Sequence, residues 1–191
     1  MNTELLRPIT TEEVDTYHHD GVLLLKNMFD KDWIKILNNG LDVNIEKPTK
    51  GSRIWYKDTS GRSMFYDHTA WQNIDEYKKF IFNSPDAKIC GRLTGSATIN
   101  FFFDSVFVRS TGTQFETPWH QDEPYWSVEG YDACTIWMPL APVKKKSSLS
   151  FVPGSHLWKT VFKHYNFGDL NPVGNKNVDQ VDFSDIAEQE L

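Results

Sequence analysis

The spacing of apolar residues predicts helices in the first part of the chain. Thr10 and Glu13 have the spacing of a capping box, which predicts a short helix through Tyr17. Asp30 can cap a second helix, because apolar residues recur after it at helical spacing. These residues form one predicted buried face: Trp33, Ile36, Leu37 and Leu41.

A third helix is predicted after residues 44–63, a polar stretch that we expect to be a loop. It begins at Ser84-Pro85, since proline suits the first helical position, and it closes at Gly95. Its apolar side carries Ile89, Cys90 and Leu93, for which core packing is the expected role.

Strand patterns dominate the remainder of the chain. Residues 21–25 form an apolar run of strand length, and from residue 97 onward apolar residues recur with a period of two. The alternating stretches are 97–103 and 134–140, and residues 117–126 also have the character of a strand. Turns rich in Gly, Pro and Ser separate them, which predicts an antiparallel, barrel-like sheet with the helices packed outside.

His120 and Asp122 form a His-x-Asp pair inside the predicted strand 117–126. Residues i and i+2 of a strand share a face with Cα atoms roughly 6.5 Å apart, so both side chains can reach one metal ion while Gln121 faces away. An imidazole and a carboxylate suit Fe(II), and a second imidazole would complete a facial triad. A lone His-x-Asp is also common as a surface turn or a hydrogen-bonded pair.

Five motifs that follow one another in order add to this prediction. They are residues 100–109, 111–113, 117–126, 134–142 and 151–156. Their order resembles the phytanoyl-CoA dioxygenase family, Fe(II)- and 2-oxoglutarate-dependent hydroxylases built on a double-stranded β-helix. The likeness extends to residues 20–25, which are similar to the family's opening strand, and to residues 61–85, which are similar to its helical insert.

The resemblance implies a mostly β fold with N-terminal α-helices, a jelly-roll or cupin-like barrel forming one domain over residues 1–191. The family also has a distal histidine and, shortly after it, an arginine that grips 2-oxoglutarate, and nothing in this sequence matches them. We therefore expect the barrel to be incomplete at its C-terminus, without the last strands. His156 and His164 are the remaining candidates for a third ligand, although neither matches the family's metal position.

The resemblance also implies roles for individual residues. His120 and Asp122 would hold the iron, and an aspartate at this position favours hydroxylation over halogenation. Three residues are placed beside 2-oxoglutarate, with aromatic packing or a surface ion pair as competing interpretations: Trp137, Ser105 and Arg109. Three aromatic residues flank the metal pair and would wall a substrate pocket or simply pack: Trp119, Tyr125 and Trp126.

The predicted function is therefore hydroxylation of a small molecule, with Fe(II) and 2-oxoglutarate as cofactors and molecular oxygen as co-substrate. Two alternatives remain open. One is an inactive, truncated product that binds metal weakly or not at all. The other is a non-oxidative metal-binding β-barrel module that uses His120, Asp122 and His156.

Charge and composition limit the partners. The net charge of −6 argues against nucleic acid or an anionic membrane, and Lys144–Lys146, the one basic run, is expected to be a solvated loop. The N-terminus has no signal-peptide pattern and no apolar run is long enough to span a membrane. Cys90 and Cys134 lack metal or redox spacing, so we expect reduced thiols and a cytoplasmic location.

Overall fold

A computed structural model describes residues 1–113, 116–128, 130 and 132–167. Within these residues the chain forms four α-helices: α1 (Thr11–Asp20), α2 (Lys31–Glu46), α3 (Asp75–Asn83) and α4 (Asp86–Thr94). One antiparallel sheet accompanies them, with β1 (Arg53–Trp55), β2 (Met64–His68) and β3 (Ser105–Arg109) in that order. Among the described helices, none is both long enough and apolar enough to cross a membrane.

The capping box that predicts α1 is present. Thr10 Oγ1 accepts a hydrogen bond from Glu13 N at 3.1 Å, and the Glu13 carboxylate accepts one from Thr10 N at 2.9 Å. Arg7 also binds this carboxylate, and mainly for that reason the pKa of Glu13 falls to about 2. The helix runs past the predicted end at Tyr17 and closes at Gly21, which has a left-handed φ of 73°.

The predictions for α2 and α4 are confirmed as well. Asp30 Oδ1 accepts hydrogen bonds from Asp32 N and Trp33 N, and Trp33 and Leu37 are buried as the helical spacing predicts. Helix α4 follows Pro85 and ends at Gly95, and its predicted apolar side is buried: Ile89, Cys90 and Leu93. Local capping signals therefore suffice to locate these helices.

Two apolar clusters lie between the helices. The first joins α4 to the N-terminal segment through Ile9, Met28, Ile89 and Leu93. The second joins α2 to α3 through Leu37, Ala70, Ile74 and Tyr77. Phe80 bridges towards the first cluster, because its ring lies 5.2 Å from that of Phe29 and 5.4 Å from that of Trp33.

The sheet differs from the predicted one. Residues 21–25, 97–103, 117–126 and 134–140 are not strands, so those four predictions are wrong. Instead β2 pairs with β3, with Met64 opposite Arg109 and His68 opposite Ser105. Strand β1, which lies inside the stretch 44–63 predicted as a loop, pairs with β2. A strand exists only when a partner pairs with it, and a periodic pattern alone does not supply that partner.

In two of the wrongly predicted strands, residues 21–25 and 134–140, apolar residues pack on the helical clusters instead. Leu23 and Leu25 pack against the first cluster while Leu24 between them is 77% exposed. Met138 and Leu140 pack against the second cluster, and Asn38 Nδ2 donates to Leu140 O. These two segments thus cover the helices without joining a hydrogen-bonded ladder.

The sheet has two different faces because strand side chains alternate. Its helix face carries Asp67 and Val106, of which Asp67 is fully buried and accepts hydrogen bonds from Asn44 Nδ2, Thr49 N and Thr49 Oγ1. Its opposite face, here called the site face, carries the following side chains: Trp55, Tyr66, His68, Ser105, Phe107 and Arg109.

The described residues therefore confirm an antiparallel sheet accompanied by helices, but they do not close a barrel. Helix is more abundant than strand in this part of the chain, so the mostly β prediction does not hold there. The lysine run forms an exposed 3-10 turn at Lys145–Ser147. The predicted loop over residues 166–191 lies, beyond Phe167, outside the described residues.

Candidate metal site

His120 and Asp122 are in direct contact. The distance from His120 Nε2 to Asp122 Oδ1 is 3.2 Å. A turn brings them together, since Asp122 has helical dihedrals (φ −75°, ψ −38°) and directly precedes the 3-10 turn Glu123–Tyr125. The two side chains converge as the sequence predicts, but strand alternation is the wrong reason.

A second hydrogen bond fixes the tautomer of the His120 ring. Its Nδ1 lies 2.8 Å from Pro118 O, and a carbonyl oxygen can only accept, so Nδ1 carries the proton. In the neutral ring the lone pair is then on Nε2, which faces Asp122. Metal-binding histidines are commonly oriented in this way by a carbonyl on the other ring nitrogen.

The proton affinity of His120 reflects the same contacts. Burial of the ring lowers its pKa, but the hydrogen bonds with Asp122 and Pro118 O outweigh burial, so the pKa is raised above its ordinary value. A proton on Nε2 is thus stabilised by the carboxylate. A divalent cation placed between the two groups would be stabilised by the same negative charge.

Side chains, not strand pairing, hold the turn in place. Gln121 Nε2 donates to Thr160 O at 2.8 Å, and Gln121 Oε1 accepts from Phe162 N at 3.0 Å. The Tyr125 hydroxyl donates to Tyr165 O at 2.8 Å and accepts from Tyr165 N at 3.0 Å. From the sequence we expect only that Gln121 faces away from the pair. These four hydrogen bonds have no signal in the sequence.

Aromatic rings connect the turn to the site face of the sheet. The Phe167 ring lies 4.8 Å from that of His120, 5.3 Å from that of Tyr125 and 5.9 Å from that of Trp55. Trp55 in turn stacks on Tyr66 at 4.4 Å. The sequence does not indicate that Phe167 and Trp55 lie beside this turn, because nothing local to either residue signals a contact so distant along the chain.

Two of the three residues predicted beside 2-oxoglutarate lie on the site face. Arg109 Nη2 donates to Thr117 Oγ1 at 2.9 Å, which ties β3 to the segment that leads into His120. The Ser105 hydroxyl is 3.5 Å from the Tyr66 hydroxyl, at the other end of β3. The third predicted residue, Trp137, is 46% exposed. The next residue along the chain, Met138, packs on the second cluster.

The three predicted substrate residues have different surroundings. Tyr125 lies beside His120, with ring centroids 6.0 Å apart, and its hydroxyl is already engaged by Tyr165. Trp126 approaches Phe102 and Phe103, at 6.5 Å from each ring. Trp119 is 40% exposed. Tyr125 is therefore the one with a direct contact to the metal pair.

The other histidines do not complete a three-ligand site. His156 Nε2 donates to His18 O and Gly154 N donates to Asp20 O, so the Pro-Gly-Ser-His turn caps the end of α1. The His164 ring packs edge-on against Tyr125 at 4.9 Å, and its buried Nδ1 has no hydrogen-bond partner. In the part of the chain that the structure describes, no group of three His, Cys, Asp or Glu side chains could hold a metal.

The site is a histidine–carboxylate pair beside an antiparallel sheet, and the class of the protein comes from the family to which the sequence belongs. The family model of phytanoyl-CoA dioxygenase (PhyH) matches residues 17–181, most of the chain, and the protein belongs to this family. Family membership implies a cupin-like fold, and members generally use Fe(II) and 2-oxoglutarate. No curated protein and no solved structure matches the chain significantly.

The donor set fits part of an Fe(II) site. A facial triad needs two imidazoles and one carboxylate, and His120 and Asp122 supply one of each with Nε2 and Oδ1 facing one another. The orienting bond to Pro118 O matches what such a ligand needs. One further imidazole would be required, and the described residues do not bring one to the pair.

Proposed function

We propose that this protein is an Fe(II)- and 2-oxoglutarate-dependent dioxygenase that hydroxylates a small molecule, and that its chain forms one domain. His120 and Asp122 are two of the iron ligands. The observation that carries this proposal is their 3.2 Å contact, together with the Pro118 bond that leaves the Nε2 lone pair directed at the carboxylate. Iron bound there supplies the redox chemistry that couples 2-oxoglutarate and oxygen to hydroxylation.

The protein's own residues position and neutralise charge. The Asp122 carboxylate would offset part of the charge of a dication, and Nε2 of the neutral His120 ring would donate its lone pair to the metal ion. On the site face, Arg109 is a permanent cation, which suits a carboxylate of 2-oxoglutarate. We assign the remaining cofactor contacts to the Ser105 hydroxyl and the Trp137 ring.

Aromatic side chains would bind the substrate. Tyr125 lies against His120, and we assign Trp119 and Trp126 to the same wall. Because the Tyr125 hydroxyl is bound to the backbone of Tyr165, it is the ring of Tyr125 that faces a ligand. Such a wall favours apolar contact and excludes water from the metal.

An anaerobic titration with Co(II), a spectroscopic substitute for Fe(II), tests the proposal. The wild-type protein should bind one equivalent, and His120→Ala and Asp122→Ala should each weaken binding by more than about 100-fold, since even loss of an outer-shell partner costs about 10–100-fold. Addition of 2-oxoglutarate should then change the visible spectrum. Turnover with Fe(II) and oxygen should release succinate.

A matched control comes from α1. His19 Nδ1 lies 2.7 Å from Asp20 Oδ1, so it is also a histidine–carboxylate pair, but the His19 side chain is 87% exposed. His19→Ala should bind Co(II) like the wild type. Equal binding by His120→Ala and the wild type would contradict the proposal.

The second candidate is a non-catalytic member of the family. It is favoured by one observation, the lack of a third donor beside His120 and Asp122 within the described residues. It predicts no stoichiometric Co(II) site and no succinate, so the same titration separates the two candidates. The non-oxidative module that would use His156 is not proposed, because His156 Nε2 already donates to His18 O at the end of α1.

A further inference from the structure

We propose that Gln121 is a positioning residue for the metal pair. Its carboxamide fastens the His120–Asp122 turn to residues 160–162, and the Tyr125 hydroxyl fastens the same turn to Tyr165. We call these four hydrogen bonds the clamp. This inference deepens the proposed function and rests on it.

Both polar atoms of the Gln121 carboxamide form hydrogen bonds. Its Nε2 donates to Thr160 O and its Oε1 accepts from Phe162 N, so it pairs with the chain as a backbone peptide would. Two bonds fix the rotation of the side chain as well as its position. Because Gln121 lies between the two ligands in sequence, fixing it also fixes the peptide groups that carry His120 and Asp122.

The segment that receives the clamp is itself held in place. Phe162 is 1% exposed, so the backbone that Gln121 binds is tied to a buried side chain. Tyr125 makes the corresponding pair of bonds to both backbone polar atoms of Tyr165. The clamp therefore joins two ends of the turn to one short segment with a buried residue in it.

The clamp replaces what a strand would otherwise provide. The His-x-Asp segment has no ladder of backbone hydrogen bonds, since residues 117–122 are not paired in the sheet. Without the clamp the turn would have many conformations, and a metal ion would have to order it on binding. The loss should therefore appear as weaker metal binding, with both ligands still present.

Co(II) affinity of substituted proteins tests the inference. Gln121→Ala should raise the Co(II) Kd by about 10–100-fold and alter the visible spectrum of the bound ion, as outer-shell losses do. Gln121→Glu keeps an acceptor for Phe162 N but sets an anion against Thr160 O, so we expect a similar loss. Tyr125→Phe keeps the ring beside His120 and should have a smaller effect of the same sign.

Two controls separate positioning from general loss of stability. Gln72→Ala removes an exposed glutamine from the 3-10 turn Ala70–Gln72 and should leave affinity unchanged. Asp67→Asn disrupts a buried network on the helix face of the sheet and should lower the unfolding temperature while the Co(II) Kd stays within about twofold. Affinities are compared at a temperature where thermal unfolding shows every variant to be folded.

The outcomes divide clearly. A raised Kd in Gln121→Ala with an unchanged Kd in Asp67→Asn supports the clamp, and Gln121→Glu carries the same comparison if the alanine variant does not fold. Unchanged affinity in Gln121→Ala, or an equal loss in Asp67→Asn, overturns it while the wild-type site stands. If the wild type itself binds no Co(II), the proposed function fails and the clamp's role towards metal fails with it.

Discussion

Residues 1–113 and residues 116–167 are built in different ways. The first region contains the helices, the sheet and both apolar clusters, together with the side-chain caps of α1 and α2 and the backbone ladders of the three strands. Of the described residues in the second region, Phe162 is the one buried apolar side chain, and short 3-10 turns are its only regular elements. The second region nevertheless carries the His120–Asp122 pair.

This difference separates the source of stability from the site of the proposed chemistry. The first region contains nearly all of the buried apolar side chains, whereas the second is held by side chains that bind backbone atoms and by aromatic contacts. Substitutions in the first region should therefore change the free energy of unfolding most. Substitutions in the second should change ligand binding at a smaller cost in stability.

The largest difference in the free energy of unfolding is expected between the replacement of a buried tryptophan and the replacement of an exposed one. Trp33 is 1% exposed and its Nε1 donates to Asn2 O, so Trp33→Ala should lower the free energy of unfolding by about 3–5 kcal/mol. Trp137 is 46% exposed, and Trp137→Ala should cost about 0.5 kcal/mol or less. Urea denaturation measures both, and comparable losses would contradict the division into two regions.

The Asp67 network should give the next largest effect. Three donors meet the two carboxylate oxygens of this fully buried residue, so an asparagine, which has one acceptor oxygen, forces at least one donor to find another acceptor. We expect Asp67→Asn to cost about 1–3 kcal/mol in chemical denaturation. Asp75→Asn, an exposed aspartate at the start of α3, is the control and should be nearly neutral.

Two glycines at helix ends test how firmly the second region is attached to the first. Gly21 and Gly95 both have a left-handed φ, so alanine is strained at each by roughly 1–2 kcal/mol. A Cβ at Gly21 would in addition lie 2.3 Å from His156 Nδ1, whereas a Cβ at Gly95 meets nothing within 4 Å. Gly21→Ala should therefore cost about 1 kcal/mol more in thermal unfolding, since it also breaks the His156 bond to His18 O.

Gly21→Ala and Gly95→Ala could instead lower the free energy of unfolding by the same amount. The Pro-Gly-Ser-His turn would then add nothing to the stability of α1. Gly21→Ala in the His156→Ala background checks this, because once the ring is absent this substitution should cost no more than Gly95→Ala.

The smallest effect should be the acid sensitivity of α1. The hydrogen bond and charge of Arg7 lower the pKa of Glu13 from 4.5 to about 2, so the carboxylate stabilises the fold above pH 4.5 and this contribution is lost as the pH falls towards 2. Glu13→Gln should flatten the pH dependence of the urea midpoint over this window. Arg7→Gln, which removes the guanidinium that lowers the pKa of Glu13, should flatten the slope in the same way.

The sequence predicts α1, α2 and α4 because their signals are local, whereas α3, which has no side-chain cap, is indicated only by the resemblance of residues 61–85 to a helical insert. The Thr10–Glu13 box, the Asp30 cap and Gly95 each act within one turn of chain. The sequence predicts the strands less well, because a strand depends on a pairing partner that is distant along the chain. Residues 97–103 alternate as a strand should but find no ladder, whereas Met64–His68 pairs on both sides without a clear period.

The sequence predicts that the His120 and Asp122 side chains converge, but it does not predict the contacts that support them. The spacing of His120 and Asp122 is enough to nominate them as a metal pair, although a turn brings them together rather than a strand. The partners of Gln121 and Tyr125 lie far along the chain, and a glutamine reveals nothing in sequence about which backbone atoms it will meet. Contacts of this kind depend on the packed structure.

The two-faced sheet has a consequence for how such a protein can change over evolutionary time. Asp67 and Val106 face the helices, whereas Trp55 and Phe107 project from the other side of the same sheet. Replacing Phe107, which is 50% exposed, alters the site face without opening a cavity among the helices. Selection can therefore change the side chains of the site face at alternate positions of β3 while the intervening residues preserve a foldable scaffold.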